Sequence, residues 1–281
     1  GKLERIEAQI TIDATGDGDI AAFAGASYSL GNSRTGETQN FSQWDIPGAA
    51  KLSSPTNRDY DMIDNTRISE LQRGLFISHY EAHFYDFHPM LTVRESRRIK
   101  GMYVLDFLDV AEKTHFHDVI SLASSDFDPH NVGSSEYTKC GFLLPHSNDV
   151  VVEIPYRSIV PEKIDGLLIS GRGISQTHNA LQFTRMTADI IVLGYLTGQI
   201  AAELSLKNLQ PRKFDISGLQ KHWASLGYLP ADYNRKSTWG KREKEEEVIE
   251  RIKNLSEGKR EYLYEVVRLP KEKALPVLAD Y

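Results

Sequence analysis

Twice in this chain a short apolar run ends in a glycine-bearing turn and hands over to a helical pattern, and this repetition restricts the fold more than any other feature. The first run, residues 6–13, alternates Ile6, Ala8, Ile10 and Ile12 with polar neighbours, the period-two pattern of a strand. It enters Asp13-Ala14-Thr15-Gly16-Asp17-Gly18 and then a short helical stretch, Asp19-Ile20-Ala21-Ala22-Phe23, with Asp19 as the expected cap. The second run, Gly166-Leu167-Leu168-Ile169-Ser170, is continuous, as in a strand buried on both faces of an α/β sheet. It enters Gly171-Arg172-Gly173, with Ser175, Thr177 and His178 just ahead of a long helix. In that helix Met186, Ile190, Leu193, Thr197, Ile200 and Leu204 recur at steps of three and four residues. Gly194 and Gly198 lie inside it. Each costs about 1 kcal/mol in a helix interior, which close packing would offset.

Glycine lets backbone approach a ligand closely, and a helix start offers free N–H groups to anions. Ligands of open α/β sheets bind beyond the carboxyl ends of the strands. Both turns are therefore candidate anion-accepting sites, and the central expectation is that they converge at one rim of a single sheet. Taken singly, each is also compatible with an ordinary strand-to-helix connection. Neither is a phosphate loop or a Gly-x-Gly-x-x-Gly fingerprint.

Between these units, residues 27–148 are richer in Asn, Ser, His and aromatics, and their periodicity is broken. Helices are expected over residues 60–84, 99–110 and 114–123, and a strand over 149–155. After Pro211 the chain is strongly charged, with helical patterns over 241–255, 262–269 and 274–278. The expected class is α/β. Residues 1–26 and 149–208 form part of one layer, residues 27–148 an inserted mixed α+β domain, and residues 209–281 a helical tail.

Composition narrows the function. Thirty-nine acidic against 33 basic side chains give a net charge of −6, which argues against a nucleic-acid partner. No stretch approaches the roughly 18 unbroken apolar residues of a membrane helix. A soluble cytoplasmic or periplasmic protein is expected, and the opening Gly1-Lys2-Leu3 predicts a natural start further upstream. The single cysteine, Cys140, excludes an internal disulfide and a cysteine zinc site, and beside Gly141-Phe142-Leu143-Leu144 it reads as a small buried hydrophobe. His79 and His83 have the four-residue spacing of paired metal ligands, and His115-Phe116-His117-Asp118 adds further donors. The zinc-protease glutamate after the first histidine is missing, so no metal site is assigned.

Five segments, in order over about residues 10–205, carry a family resemblance. They are Ile12-Asp13-Ala14-Thr15-Gly16-Asp17-Gly18-Asp19, then Val93-Arg94-Glu95-Ser96-Arg97-Arg98-Ile99 with Gly101 and Tyr103, then Phe116-x-Asp118-x-Ile120 followed by Asp128-x-His130. Next come Ile154-Pro155-Tyr156-Arg157-Ser158-Ile159-Val160-Pro161 and Leu167-Leu168-Ile169-Ser170-Gly171-Arg172-Gly173-Ile174-Ser175 with Gln176-Thr177-His178-Asn179-Ala180. Together they resemble the "xanthan lyase-like" group of FAD-dependent oxidoreductases. The resemblance implies a partial FAD-binding, Rossmann-like layer with residues 27–148 as the substrate domain. It implies that Ala14, Thr15, Gly16 and Asp17 lie near the dinucleotide, and Gly171 and Arg172 by its ribityl–pyrophosphate region. The helix start after Ser175 would face the flavin ring.

Arg94, Arg97 and Arg98 are implied to reach the flavin or substrate, a role that suits a planar and permanently charged guanidinium. Pairing with Glu95 and Asp106 is the plainer alternative. His178 is the candidate proton relay, or else a cap or core hydrogen bond. The family's opening Gly-x-Gly-x-x-Gly unit is absent, so the chain reads as the later portion of a longer flavoprotein. Where members carry Pro-Thr-Cys and Gly-Gln-Ala-Ala-Gly, this chain has Ala188-Asp189-Ile190 and Gly194-Tyr195-Leu196-Thr197-Gly198, and Tyr195 and Asp189 would disturb a cofactor they faced.

The implied activity is hydride transfer between an organic small molecule and flavin. The alternatives are a non-catalytic interaction scaffold derived from a flavoprotein fold and, third, a histidine-based metal hydrolase. Without its first strands the layer would expose a sheet edge, which predicts association into homo-oligomers.

Overall fold

The computed structural model describes residues 4–39, 41–46, 56–60, 63–64, 67–77, 80, 88–111, 113–124, 128, 130, 150–238, 245–259, 262, 266 and 271–280. The elements in chain order are β1 (Thr11–Asp13), α1 (Asp19–Phe23), β2 (Tyr28–Ser29), β3 (Phe41–Ile46), β4 (Thr56–Tyr60), α2 (Ile68–Phe76), β5 (His88–Thr92) and β6 (Arg98–Ile99). Then follow α3 (Phe107–Ala111), β7 (Val119–Ala123), β8 (Val152–Pro155), β9 (Leu167–Ile169), α4 (Leu181–Thr184), α5 (Thr187–Lys207), α6 (Ser217–Ser225), α7 (Glu245–Ser256) and α8 (Lys271–Leu278).

The two apolar runs pair with each other. β1 and β9 are parallel neighbours, Thr11 opposite Leu167 and Asp13 opposite Ile169. β1 is shorter than its alternating pattern because Ile6 is 86% exposed, so the residues before it have no face to bury. The long helix forms as its period requires, over Thr187–Lys207, and lies against β1, β7 and β9. It is the one described helix long and apolar enough to cross a membrane, but the buried side chains Leu193, Leu196, Ile200 and Leu204 join it to the core. The other sheets are β2–β6, β4–β3–β5 and β7–β8, each antiparallel.

The segment between residues 99 and 123 corrects two expectations. The helix placed over 99–110 is a strand end, two isolated bridges (Gly101 to Pro161, Leu105 to Gln176) and only then the five-residue α3. At Gly101 a Cβ would lie 2.8 Å from the Arg157 carbonyl oxygen, so the chains meet at backbone distance. The helix placed over 114–123 is largely β7, paired with β8. Val119 and Ile120 are β-branched and buried, and a run this short satisfies both periods until a partner strand decides. The helix placed over 60–84 is α2 within the described residues, and Tyr60 closes β4 instead.

One buried cluster spans all three expected portions: Leu105, Phe116 and Ile120, then Leu168 and Ile200, then Trp223. Trp223 on α6 donates its indole N–H to the Gln199 side chain on α5, which ties residues 217–225 to the main core. Val248, Ile252, Val266 and Ala274 form a second, separate cluster between α7 and α8.

Candidate functional site

The rim beyond β1 and β9 is built from one buried carboxylate outward. Asp13, 1% exposed, ends β1. Its Oδ1 accepts from the Thr15 N–H (3.0 Å) and Thr15 hydroxyl (2.7 Å), and its Oδ2 accepts from the Ala21 N–H (2.8 Å). An aspartate followed two residues later by Thr thus closes its own turn and anchors the first turn of α1. Gly18 stands at the helix start with φ 66°, and Asp19 is the first helical residue rather than the cap. The Asp19 N–H is met by the Thr15 hydroxyl at 3.0 Å, which frees the Asp19 carboxylate for Arg97.

The second turn begins where the Ser170 N–H donates to the Asp13 carbonyl at 2.9 Å. Gly171 follows with φ 84°, opening a single 3-10 turn, and nothing lies within 4 Å of where its Cβ would stand. Arg172 then reaches back, its Nη2 donating to Asp17 Oδ1 at 2.6 Å. Its guanidinium carbon passes 3.5 Å from the position a Gly16 Cβ would take. The two turns meet.

The middle motif braces this junction from one side. The Ser96 hydroxyl donates to the Gly16 carbonyl (3.3 Å), and Arg97 donates to the Asp17 carbonyl (3.2 Å) and the Asp19 carboxylate (2.7 Å). Arg97 also stands over the Tyr28 ring, 5.4 Å from its centroid. Partial burial works against the Asp17 charge, but hydrogen bonds from Ser96 and Arg172 outweigh it and hold this carboxyl below its ordinary value.

Arg98 and His178 belong to a buried network behind the turns. The carboxylate of Glu95, 1% exposed, pairs with Arg98 Nη1 and receives the Gln39 N–H at 2.7 Å. Arg98 further donates to the Gln176 carbonyl (3.0 Å) and the Gly31 carbonyl (2.8 Å). Burial pulls its guanidinium down to about 10 despite the contact with Glu95, so it stays charged at neutral pH.

His178 Nδ1 lies 2.8 Å from Glu95 Oε2, and its Nε2 lies 2.9 Å from Gln39 Nε2. Gln39 Oε1 accepts from the His130 N–H at 2.8 Å, so the amide NH2 is the group turned to the imidazole. An amide NH2 only donates. His178 Nε2 is therefore the acceptor, and Nδ1–H donates to Glu95. The imidazole thus makes two buried hydrogen bonds, one to Glu95 and one from Gln39.

Arg94 is 4% exposed and adds its charge to the surroundings of Asp128. Asp128 is hydrogen-bonded by His130 and by Arg185 (2.7 Å), and these hold its carboxyl below the usual range. The motif pair Asp118 and Arg157 is a bidentate ion pair (2.9 and 3.1 Å) between the end of the 116–118 loop and the residues after β8. Tyr195 turns toward Tyr228, ring centroids 5.4 Å apart, and Asp189 accepts from the Ser124 N–H at 3.3 Å. His115 is bound to Glu153 (2.8 Å), and among the described residues no group of three or more His, Cys, Asp or Glu side chains is placed to hold a metal ion. His79, His83 and Cys140 lie outside the described residues.

The family model for FAD dependent oxidoreductases matches residues 1–73 and 59–223, most of the chain. The chain belongs to that family. No curated protein and no solved structure matches it.

The residues present fit the FAD that this family implies. Four buried side-chain polar atoms on the segment after β9 lack a hydrogen-bond partner: Arg172 Nε, Ser175 Oγ, Asn179 Oδ1 and Gln182 Oε1. Buried polar groups are ordinarily satisfied, so the segment keeps bonding capacity for a polar ligand. Gly171 leaves an open face beside it, and Arg172 and Asp17 offer a donor fork and an acceptor at the same rim.

Several residues that organise this rim and the network behind it are not evident from spacing. Asp13, Ser96, Glu95 and Gln39 hold the turns and the imidazole, yet Gln39 lies 139 positions from His178 and Glu95 lies 83. Only Asp13 carries a local signal, a charge closing the alternating strand two residues before Thr15.

Proposed function

We propose that this chain supplies the ribityl–pyrophosphate side of an FAD site in an oxidoreductase that moves hydride between a small organic substrate and the flavin. The observation that carries the reading is the contact of Arg172 with Asp17, which joins two glycine turns at the carboxyl ends of adjacent parallel strands. Ala14, Thr15, Gly16 and Asp17 form one lip of the cofactor crevice, and Gly171, Arg172 and Ser175 the other. Bound FAD supplies the hydride-accepting ring. The protein supplies orientation and charge. Arg172 offers N–H donors to a phosphoryl oxygen, and the open face of Gly171 admits the ligand backbone.

Among the arginines, Arg97 locks the first lip, whereas Arg94 and Arg98 are buried and bear on the ligand through the segments they hold. His178 with Nδ1–H directed to Glu95 fixes residues 176–179 beside the crevice, and substrate is taken from the side of residues 27–148. Within the family, the five ordered motifs favour the "xanthan lyase-like" group.

The test is an FAD titration of the purified chain followed by flavin fluorescence, with Arg172→Gln as the variant. The reading expects saturable quenching that Arg172→Gln weakens at least ~10-fold, the scale of a lost charge-assisted hydrogen bond. Equal affinity in the two proteins, or no binding in either, refutes it.

A further inference from the structure

We infer that residues 235–238 are a strap over the His115–Glu153 pair that loosens in acid, with His115 as the sensor. None of these groups is among the proposed cofactor contacts. The chain after α6 packs Tyr233 against the main core and then crosses His115. There the His115 N–H donates to the Thr238 hydroxyl (2.7 Å), and the His115 carbonyl accepts from the Ser237 hydroxyl (2.8 Å) and the Thr238 N–H (3.1 Å). Arg235 adds a further hold, its Nη2 donating to Glu153 Oε1 at 2.7 Å.

Beneath the strap one carboxylate stands between a cation and a titratable ring. Glu153 Oε2 accepts from the Phe116 N–H (2.9 Å), and the two carboxylate oxygens lie 2.9 and 2.8 Å from His115 Nδ1. A carboxylate only accepts, so Nδ1 carries the hydrogen and Nε2 the lone pair. The His115 side chain is 1% exposed, and Nε2 has no hydrogen-bond partner among the described residues. A proton taken up from water at Nε2 therefore creates a buried, charged donor without an acceptor. It also places Glu153 between two positive charges, the imidazolium and Arg235. The other charged groups nearby offset little of this. Asp232, 3.5 Å from Arg235, is mostly in solvent, and exposed His117 lies toward Asp118, which Arg157 already binds.

Opening the strap relieves both faults at once. Arg235 moves to solvent, Glu153 keeps the imidazolium, and water reaches the Nε2–H. The protonated pair thus favours the open strap and the neutral pair the closed one, so opening increases as pH falls.

The experiment is hydrogen–deuterium exchange of the full chain at about pH 5.5 and about pH 7.5, either side of an ordinary imidazole value of about 6.5. The reporters are the His115 and Thr238 amides, corrected for the intrinsic pH dependence of exchange, with buried α5 amides as reference. In the wild type both reporters should open about 5-fold more often at the lower pH, the scale of one exposed ion pair. The α5 amides should hold steady. His115→Asn keeps a donor for Glu153 but does not titrate, and should lose the acid response. Arg235→Gln should loosen the strap at the higher pH and cut the acid response by at least about half, because Glu153 no longer has a rival cation. Arg235 is 42% exposed, so this variant spares the core and decides the matter if His115→Asn does not fold. Equal corrected rates at the two pH values in the wild type overturn the strap, and so does an acid response that survives in full in either variant. Acceleration of the α5 amides in step with the reporters, the mark of whole-chain opening, overturns it too.

Discussion

Replacing Asp13 by Ala should be among the most damaging single changes in the chain, although this side chain serves the turn and is not one of the proposed cofactor contacts. The carboxylate is 1% exposed and accepts from three donors, the Thr15 N–H, the Thr15 hydroxyl and the Ala21 N–H. A hydrogen bond to a charged group is worth about 1.5–3 kcal/mol, and a buried donor left without a partner adds its own penalty. The three share one acceptor and do not add, so the expected loss is about 3–5 kcal/mol in all. Asp13→Asn keeps the shape but turns an NH2 toward one set of donors, and should lose about half as much. For a chain of this size each kcal/mol moves the melting temperature by about 2–4 °C, so Asp13→Ala should melt about 6–20 °C lower. Thermal and urea unfolding followed by far-ultraviolet circular dichroism measure it. Asp19→Asn, which removes only a partly exposed pair with Arg97, serves as the control and should stay within about 1 kcal/mol. A loss below about 1 kcal/mol for Asp13→Ala would refute the claim that this carboxylate builds the turn.

Gly18→Ala should destabilise by about 1–3 kcal/mol in the same assay, because φ is 66° there and the new Cβ would meet the buried Ile99 Cδ1 at 2.8 Å. Arg98→Met should cost about 3–5 kcal/mol by leaving Glu95 buried beside His178, and Arg98→Lys should recover less than half, since an ammonium cannot span Glu95, Gln176 and Gly31. Asp17 and Asp128 both have depressed folded-state values, so their contribution is full above the unfolded carboxyl value and is lost as pH falls through the folded ones. Urea midpoints should accordingly be flat from about pH 5 to 8 and fall below about pH 4, with Asp128→Asn flattening the acid limb.

What is legible in the sequence is what a local pattern determines. The continuous run 167–169 and the end of the alternating run before Asp13 predict strands, and the three-and-four spacing predicts α5. The glycine turns follow from those assignments, and so does their shared rim. Residues 99–123 suggest two helices of which only the five-residue α3 forms, because apolar runs of about five residues fit either period. The partners that decide between them, Pro161 for Gly101 and β8 for β7, are far away in sequence. The candidate site divides the same way. Gly16, Asp17, Gly171 and Arg172 stand together as their positions after two strands imply, whereas Arg98 and His178 prove to be tied to Glu95 and Gln39 inside the protein. No spacing rule connects a glutamine at 39 with a histidine at 178, and the imidazole's orientation follows from a third group, the His130 amide.

The most direct measurement is hydrogen–deuterium exchange of the chain with and without FAD, read at peptides covering residues 13–19 and 170–176. Convergence of both turns on one dinucleotide predicts that the two peptides slow together, with the same FAD dependence, and that Arg172→Gln moves both effects to FAD concentrations at least ~10-fold higher. Protection of only one turn, or protection confined to other parts of the chain, would contradict a shared crevice at the rim of β1 and β9.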